Sequence, residues 1–233
     1  MDLNPHAVTL GFFWYIAFLF STVCHEGAHA LAGKLGGDPT AFEAGQVSLN
    51  PAPHIQREPF GLVLVPLLTY YLNGWMMGWA SAPYDPNWQR SHPRRAAWMA
   101  LAGPGANCTL MVIAGLCIRA GLGRGIFLIS DHASFTSLVE AKDPEGLGFL
   151  ATLLSIFFML NLILMTFNLL PVPPLDGSTG IALLLPKKTA VRLLDLYRES
   201  GMALMGIVLA WLAYGKVFQW LAPKAIDLLL TGY

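Results

Sequence analysis

Two histidines and a glutamate stand close together near the start of the chain, in the sequence His25-Glu26-Gly27-Ala28-His29. Residues four positions apart on a helix lie about 40° apart around its axis, so both imidazoles can face one zinc ion. Glu26 lies beside them and can take a proton from a water molecule at the metal. The alternative is a polar pair at a helix end facing lipid headgroups, which leaves Glu26 without a partner.

A catalytic zinc site needs a third protein ligand and an open position. The remaining histidines all lie in predicted loops or tails: His6, His54, His92 and His132. Asp176 is the better candidate, because it is the only charged residue between Glu145 and Lys187 and a charge in an apolar run is costly unless paired. The alternative role for Asp176 is the N-cap of a following helix.

The stretch before Asp176 contains three prolines, Pro171, Pro173 and Pro174. Proline lacks a backbone N–H and disfavours helix in the residue before it, so this stretch is predicted to run extended. Such backbone is tolerated at membrane depth only inside the protein or along a wet cavity. We therefore predict an extended break beside the zinc site, where a protease could bind a substrate by strand addition.

The composition predicts that membrane helices position these residues. Hydrophobic residues make up 55% of the 233 and charged residues 12%, whereas a soluble domain is about 25% charged. A soluble fold could not bury so much apolar surface, which excludes disorder, a disulfide-stapled secreted domain and a typical cytosolic enzyme. The net charge is zero, so we expect a lipid bilayer and no nucleic acid as a partner.

Four apolar runs are long enough to span a bilayer, which takes about 20 residues: 8–35, 96–118, 146–175 and 200–221. The first run lacks the basic start of a signal peptide and is interpreted as a retained helix. Residues 186–199 predict a basic amphipathic helix on the membrane surface, and 217–230 a short interfacial or half-buried helix. The fold class is thus an all-α polytopic integral membrane protein. One domain fills residues 1–233, with its core at about 8–200 and a C-terminal helix and tail at 200–233.

A fifth apolar run, 60–82, is broken by Pro66, Gly74 and Gly78. The zinc ligands lie near the C-terminal ends of runs 8–35 and 146–175, so both runs must cross the membrane in the same direction. An odd number of crossings must then separate them, and 96–118 supplies one. We therefore predict that 60–82 is re-entrant, with its break at Pro66 or Gly74.

The basic residues give the orientation. With a re-entrant 60–82, the larger share of the 14 Lys and Arg residues lies on the ligand side: Lys34, Arg57, Arg90, Arg94, Arg95, Lys187, Lys188, Arg192 and Arg198. The positive-inside rule places that side in the cytoplasm. The active site is therefore predicted to lie toward the cytoplasmic face, and the N-terminus outside.

Two motifs resemble those of the site-2 protease family of intramembrane zinc metalloproteases: HEGAH, and Asn168-Leu-Leu-Pro-Val-Pro-Pro-Leu-Asp-Gly177. Residues 45–51 with His54, 78–80 and 102–107 are similar to the compact bacterial or archaeal branch without PDZ or CBS domains, so the similarity covers roughly residues 10–200. Gln56 stands where relatives often have an acidic residue, and Ser81 replaces a usual lysine. Neither departure touches the metal set, but both leave the role of the His54 loop open.

The resemblance implies a role for each site residue. His25, His29 and Asp176 would hold one zinc ion per chain, and Glu26 would be the general base. Asn168 would hold the substrate or its oxyanion.

The expected function is a zinc-dependent endopeptidase of a prokaryotic cell membrane that cuts peptide bonds in or near transmembrane segments of protein substrates. Two other classes stay open: a membrane transporter or metal-binding protein, and a catalytically silent relative that binds membrane segments. His54 is either a gate or substrate-recognition group, or a solvated or hydrogen-bonded loop histidine. Asn107 lies on a small-residue helix face, where a packing hydrogen bond is favoured over catalysis.

Overall fold

The structure, a computed structural model, describes residues 4–199, 201 and 203–233. Its helices in chain order are α1 (Pro5–Gly36), α2 (Thr40–Glu43), α3 (Pro51–Arg57), α4 (Val65–Asn73), α5 (Pro86–Ser91), α6 (Pro93–Gly123), α7 (Pro144–Asn168), α8 (Asp176–Gly180), α9 (Lys187–Glu199) and α10 (Ala203–Leu230). Within the described ranges, four helices are long and apolar enough to cross a membrane: α1, α6, α7 and α10. This confirms the predicted polytopic helical fold.

Helix α1 carries the HExxH motif on one unbroken element. The side chain of Asn4 caps its start by accepting from the N–H of Ala7 at 2.8 Å, and Pro5 occupies the first turn, where its missing N–H is harmless. The helix ends at Gly36, and the next residue, Gly37, has a φ of 97°, in the left-handed region that favours glycine. The polar motif therefore lies inside a helix and not at its end.

Helices α1, α6 and α7 form the centre of the bundle. Small residues on α6 face the other helices and are buried, among them Ala96, Ala97, Ala100 and Gly103. Such residues let helix backbones approach closely in a membrane. The start of α6 lies at the same end of the bundle as His29, which we name the ligand end; the opposite end is named the hairpin end.

Helix α10 lies at the edge and is continuous, so the prediction of a separate interfacial helix over 217–230 is wrong. Pro223 sits inside the helix and removes only its own N–H. Ala222 and Leu229, on either side of it, are buried in the apolar core between α6 and α7. Packing against that core holds the last turns in line with the rest of α10.

Residues 60–81 fold back on themselves, as the re-entrant prediction requires. A π-helical turn, Phe60–Leu64, leads into α4, which is followed by Gly74 with a φ of 76°. The returning chain places the N–H of Trp79 3.2 Å from the carbonyl oxygen of Gly61. At the base, Arg57 Nε donates to the carbonyl oxygen of Ser81 at 2.9 Å, so the segment enters and leaves at the same end.

A two-stranded antiparallel hairpin joins α6 to α7, and the sequence analysis did not predict it. It consists of β1 (Phe127–Ser134) and β2 (Ser137–Ala141). Leu138 and Val139 are both buried in an apolar core with residues of α6 and α7, and the Leu138 N–H donates to Ser155 Oγ at 3.0 Å. These contacts hold the hairpin against the helices.

The proline stretch between α7 and α8 is a series of tight turns, so the prediction of an extended strand there is wrong. The N–H of Val172 bonds to the carbonyl oxygen of Leu170 at 2.8 Å, and that of Leu175 to the carbonyl oxygen of Val172 at 3.0 Å. Prolines exclude helix but suit turns as well as strands, and the local hydrogen bonds select turns.

Helix α9 follows with Ala190 and Leu194 buried, as its amphipathic pattern predicts.

Candidate metal centre

Three side chains meet at the ligand end with metal-binding atoms toward one another. One donor atom from each of His25, His29 and Asp176 lies within 4.8 Å of the other two. His25 Nε2 is 3.1 Å from Asp176 Oδ2, and His29 Nε2 is 3.3 Å from Asp176 Oδ1. No second group of this kind occurs in the part of the chain that the structure describes.

Separate elements bring these donors together. His25 and His29 lie one turn apart on α1, and their ring centroids are 4.6 Å apart. Asp176 is the first residue of α8, directly after the proline turns. A Cβ on Gly177 would overlap the carbonyl oxygen of Leu169, so the absence of a side chain lets α8 fold tightly against the end of α7.

The second nitrogen of each imidazole has a defined partner. His29 Nδ1 lies 2.8 Å from the carbonyl oxygen of Met99, which can only accept, so this nitrogen carries the proton. His25 Nδ1 lies 2.5 Å from Asn107 Oδ1, which also accepts. With these protons on Nδ1, Nε2 is in each histidine the nitrogen that would hold a metal, as in other metal-binding histidines.

Gly103 on α6 closes the centre from a third side. A Cβ built on this residue would overlap the Nε2 atoms of both His25 and His29. The α6 backbone thus runs directly past the donors, and only glycine leaves them room.

The electrostatics of Asp176 suit a cation. Burial raises the pKa of this carboxyl, but the neighbouring imidazoles of His29 and His25 lower it further, so that its pKa lies well below the usual range. Two neutral imidazoles and one carboxylate form a donor set that zinc accepts in catalytic sites, where a fourth position stays open. The residues present therefore fit a zinc ion.

The other predicted site residues lie at different distances from this centre. Glu26 follows His25 on α1 and is 5% exposed, which keeps its carboxylate inside the bundle. Asn168 is the last residue of α7 and donates from Nδ2 to the carbonyl oxygen of Leu164 at 2.9 Å. Among the described residues it makes no hydrogen bond to His25, His29 or Asp176. The roles of Glu26 and Asn168 stay predictions.

His54 is not a solvated loop histidine. It lies on α3, is 2% exposed, and donates from Nε2 to the carbonyl oxygen of Ser48 at 3.1 Å. Its Nδ1 is buried without a hydrogen-bond partner among the described residues. His54 is not part of the donor cluster, and a gating or substrate role stays a prediction.

Sequence reasoning did not assign functions to Met99 or Gly103, and it favoured packing over a site role for Asn107. Met99 contributes only its backbone carbonyl, which no side-chain pattern reveals. The run Ala102-Gly-Pro-Gly-Ala-Asn107 could have indicated this site through its glycines. A glycine inside a helix is destabilising and usually has a packing or functional reason.

Comparison with known proteins agrees with this site. The family model described as Peptidase family M50 matches residues 13–213. The chain is 31% identical over 187 residues to "Putative zinc metalloprotease YwhC" of Bacillus subtilis (strain 168), covering 80% of this chain and 72% of that protein.

A second relative is "Putative zinc metalloprotease Rip2" of Mycolicibacterium smegmatis, which is 29% identical over 160 residues. That match covers 69% of this chain and 52% of the relative. No solved structure matches the chain significantly.

Together with the family match, the four apolar helices and the His-His-Asp donors define a membrane metallopeptidase. The chain belongs to Peptidase family M50, which confirms its resemblance to the site-2 proteases, and it is a zinc metalloendopeptidase.

Proposed function

We propose that this protein is an intramembrane endopeptidase that cuts transmembrane segments of protein substrates. On this proposal His25, His29 and Asp176 hold one zinc ion per chain, and Glu26 is the general base. The observation that carries the proposal is the position of the donors. The two histidines are buried and Asp176 is half-buried, and all three lie among helices long and apolar enough to span a membrane.

The depth of the donors supports this. Pro5 and His25 are separated by roughly 30 Å along α1 at about 1.5 Å per residue, which equals the thickness of a hydrocarbon core. His25 therefore lies near the boundary of the core at the ligand end. The larger share of basic residues at that end supports an orientation toward the cytoplasm.

Each proposed catalytic side chain has a defined task. When bound, zinc supplies Lewis-acid chemistry, which makes water a nucleophile at neutral pH. The Glu26 carboxylate accepts the proton of the attacking water and returns it to the departing amine. The Asn168 amide has two N–H donors, of which Leu164 engages one, so the other can bond to a substrate carbonyl.

The substrate must be locally unwound. In a helix each carbonyl accepts an N–H from the same chain, which shields the peptide bond. We therefore expect substrates whose transmembrane segments contain helix-weakening residues such as glycine or proline near the cut.

The test is cleavage of a fluorescent single-span substrate in proteoliposomes, with the cut mapped by mass spectrometry. Wild type should cut within the span, whereas Glu26→Gln should retain zinc and lose at least about 100-fold in rate. Glu145→Gln is the matched control, because Glu145 is exposed at the hairpin end. Cuts confined to residues outside the span, or full activity of Glu26→Gln, would contradict the proposal.

The ligand set is tested by metal analysis. Purified wild type should contain about one zinc per chain, and Ala at His25, His29 or Asp176 should each weaken retention strongly. Full retention by Asp176→Ala would remove the third ligand from the proposal.

A further inference from the structure

A fully buried chain of polar side chains leads away from His25 across three spanning helices. Ser21 on α1, Asn107 on α6 and Asn161 on α7 are each 0% exposed. Asn107 lies next to His25, and Asn161 lies behind Asn107. Polar groups at such depth are costly unless every one is paired, so their pairing pattern carries information.

Backbone carbonyls fix the direction of each hydrogen bond among these buried polar side chains. Asn161 Nδ2 lies 2.9 Å from the carbonyl oxygen of Phe157, which can only accept, so the amide nitrogen of Asn161 must point there. The same nitrogen also donates to Ser21 Oγ at 2.9 Å. Asn161 Oδ1 is thereby turned toward Asn107.

The same logic continues one residue further. Asn107 Nδ2 donates to Asn161 Oδ1 at 2.8 Å and to the carbonyl oxygen of Ser21 at 3.3 Å. Both partners are acceptors, so Asn107 must present Oδ1 and not Nδ2 to the imidazole of His25. An amide oxygen accepts, and His25 Nδ1 must therefore carry a proton.

We propose that Asn107 is a positioning residue for His25 and that Asn161 acts through Asn107. Together they hold the imidazole in the tautomer with Nδ1–H and keep the Nε2 lone pair aimed at the metal. This inference rests on the proposed ligand set, because it assigns Nε2 of His25 to zinc. A positioning role differs from a packing role because it predicts that Asn107 affects the zinc affinity and protects the Nδ1–H proton of His25.

Zinc affinity, measured by competition with a chromophoric chelator, is the first test. Asn107→Leu removes the acceptor at similar volume and should weaken zinc binding about 10- to 100-fold, as loss of such partners does at metal histidines. Asn107→Asp keeps an acceptor for Nδ1–H and, as a carboxylic acid, can donate its own proton to Asn161 Oδ1, so it should recover most of that affinity. Equal losses in the two variants would show a packing role and overturn the proposal.

Asn161 is tested by a double-mutant cycle. Asn161→Leu alone should weaken zinc binding less than Asn107→Leu, and it should add nothing in the Asn107→Leu background. Additive losses would mean that Asn161 does not act through Asn107. Ser155→Ala is the control, because Ser155 is equally buried on α7 but bonds to Leu138 of the hairpin; its zinc affinity should equal that of wild type.

A spectroscopic measurement needs no stable variant. In zinc-loaded wild type labelled with ¹⁵N-histidine, His25 should show an exchange-protected Nδ1–H proton. A rapidly exchanging proton there would overturn the proposal. Two variants separate this inference from the proposed ligand set. Unchanged zinc affinity in His25→Ala would overturn both the ligand set and this inference. Unchanged zinc affinity in Asn107→Leu would overturn this inference alone.

Discussion

At the scale of single residues, the candidate metal centre depends on a glycine, Gly103, which has no side chain to fill the space beside the histidines. Gly103 faces both histidine donors across the α1–α6 contact, and any Cβ there would displace them. The close approach of α6 also brings Met99 and Asn107 within hydrogen-bond distance of the imidazoles. One glycine thus permits both the space for a metal and the partners that orient its ligands.

Gly103→Ala should therefore abolish tight zinc binding while the protein still inserts and folds. Gly105→Ala on the same helix is the matched control, because a Cβ on Gly105 meets nothing within 4 Å. Zinc content after purification, measured by atomic absorption, checks both variants. Normal zinc content in Gly103→Ala would show that α6 can move away from the donors at no cost to the site.

Sequence could predict the meeting of His25, His29 and Asp176 because their chemistry is visible in residue type and spacing. Histidines four residues apart and a lone carboxylate are costly in apolar runs unless each binds a metal or a polar partner. The role of Asn107 was not visible in this way, because its partners Ser21 and Asn161 come from other helices. Only the packing of three helices shows which of the two amide atoms faces His25.

At the scale of elements, the number of membrane crossings between α1 and α7 predicted the path of residues 60–82 better than their hydropathy did. Residues 60–82 are apolar enough to suggest a span. The proposed ligands, however, lie on α1 and just after the end of α7, so these two helices must run in the same direction, with an odd number of crossings between them. The structure agrees, with the base of the segment closed between Arg57 and Ser81. Tyr70 fixes its far end by donating from its hydroxyl to the carbonyl oxygen of Ala7 at 2.5 Å.

Cysteine labelling tests this arrangement in the membrane. With the native cysteines replaced, Ala44→Cys before the re-entrant segment and Ser91→Cys after it should react only from the cytoplasmic side. His132→Cys on the hairpin should react only from the outside. All three positions are exposed. Labelling of positions 44 and 91 from opposite faces would exclude a re-entrant segment.

The elements that sequence missed share a physical reason. Prolines forbid helix between α7 and α8, but the choice between a strand and turns depends on hydrogen bonds within Leu170–Leu175 that no pattern specifies. The β1–β2 hairpin is likewise decided by burial of Leu138 and Val139 against α7. In both places tertiary contacts, and not local propensity, select the conformation.

At the scale of the whole molecule, the proposed zinc ion would join α1 to α8 and so stabilise the fold. A ligand at 1,000 times its Kd adds about 4 kcal/mol to stability. A membrane-permeant chelator such as phenanthroline should therefore lower the unfolding midpoint in detergent, followed by fluorescence of the seven tryptophans. Added zinc should restore it. His29→Ala should show no response to the chelator, and an equal response there would place the metal elsewhere.

The distance between the donors along the chain has a consequence for biosynthesis. His25 and Asp176 are 151 residues apart, and α1, α6 and α7 all precede Asp176. On the proposed ligand set, a growing chain carries both histidines into the bilayer long before the carboxylate leaves the ribosome. Proteolytic competence then arises only when insertion is nearly finished, so a chain truncated before α8 leaves an inert fragment and not an unregulated protease.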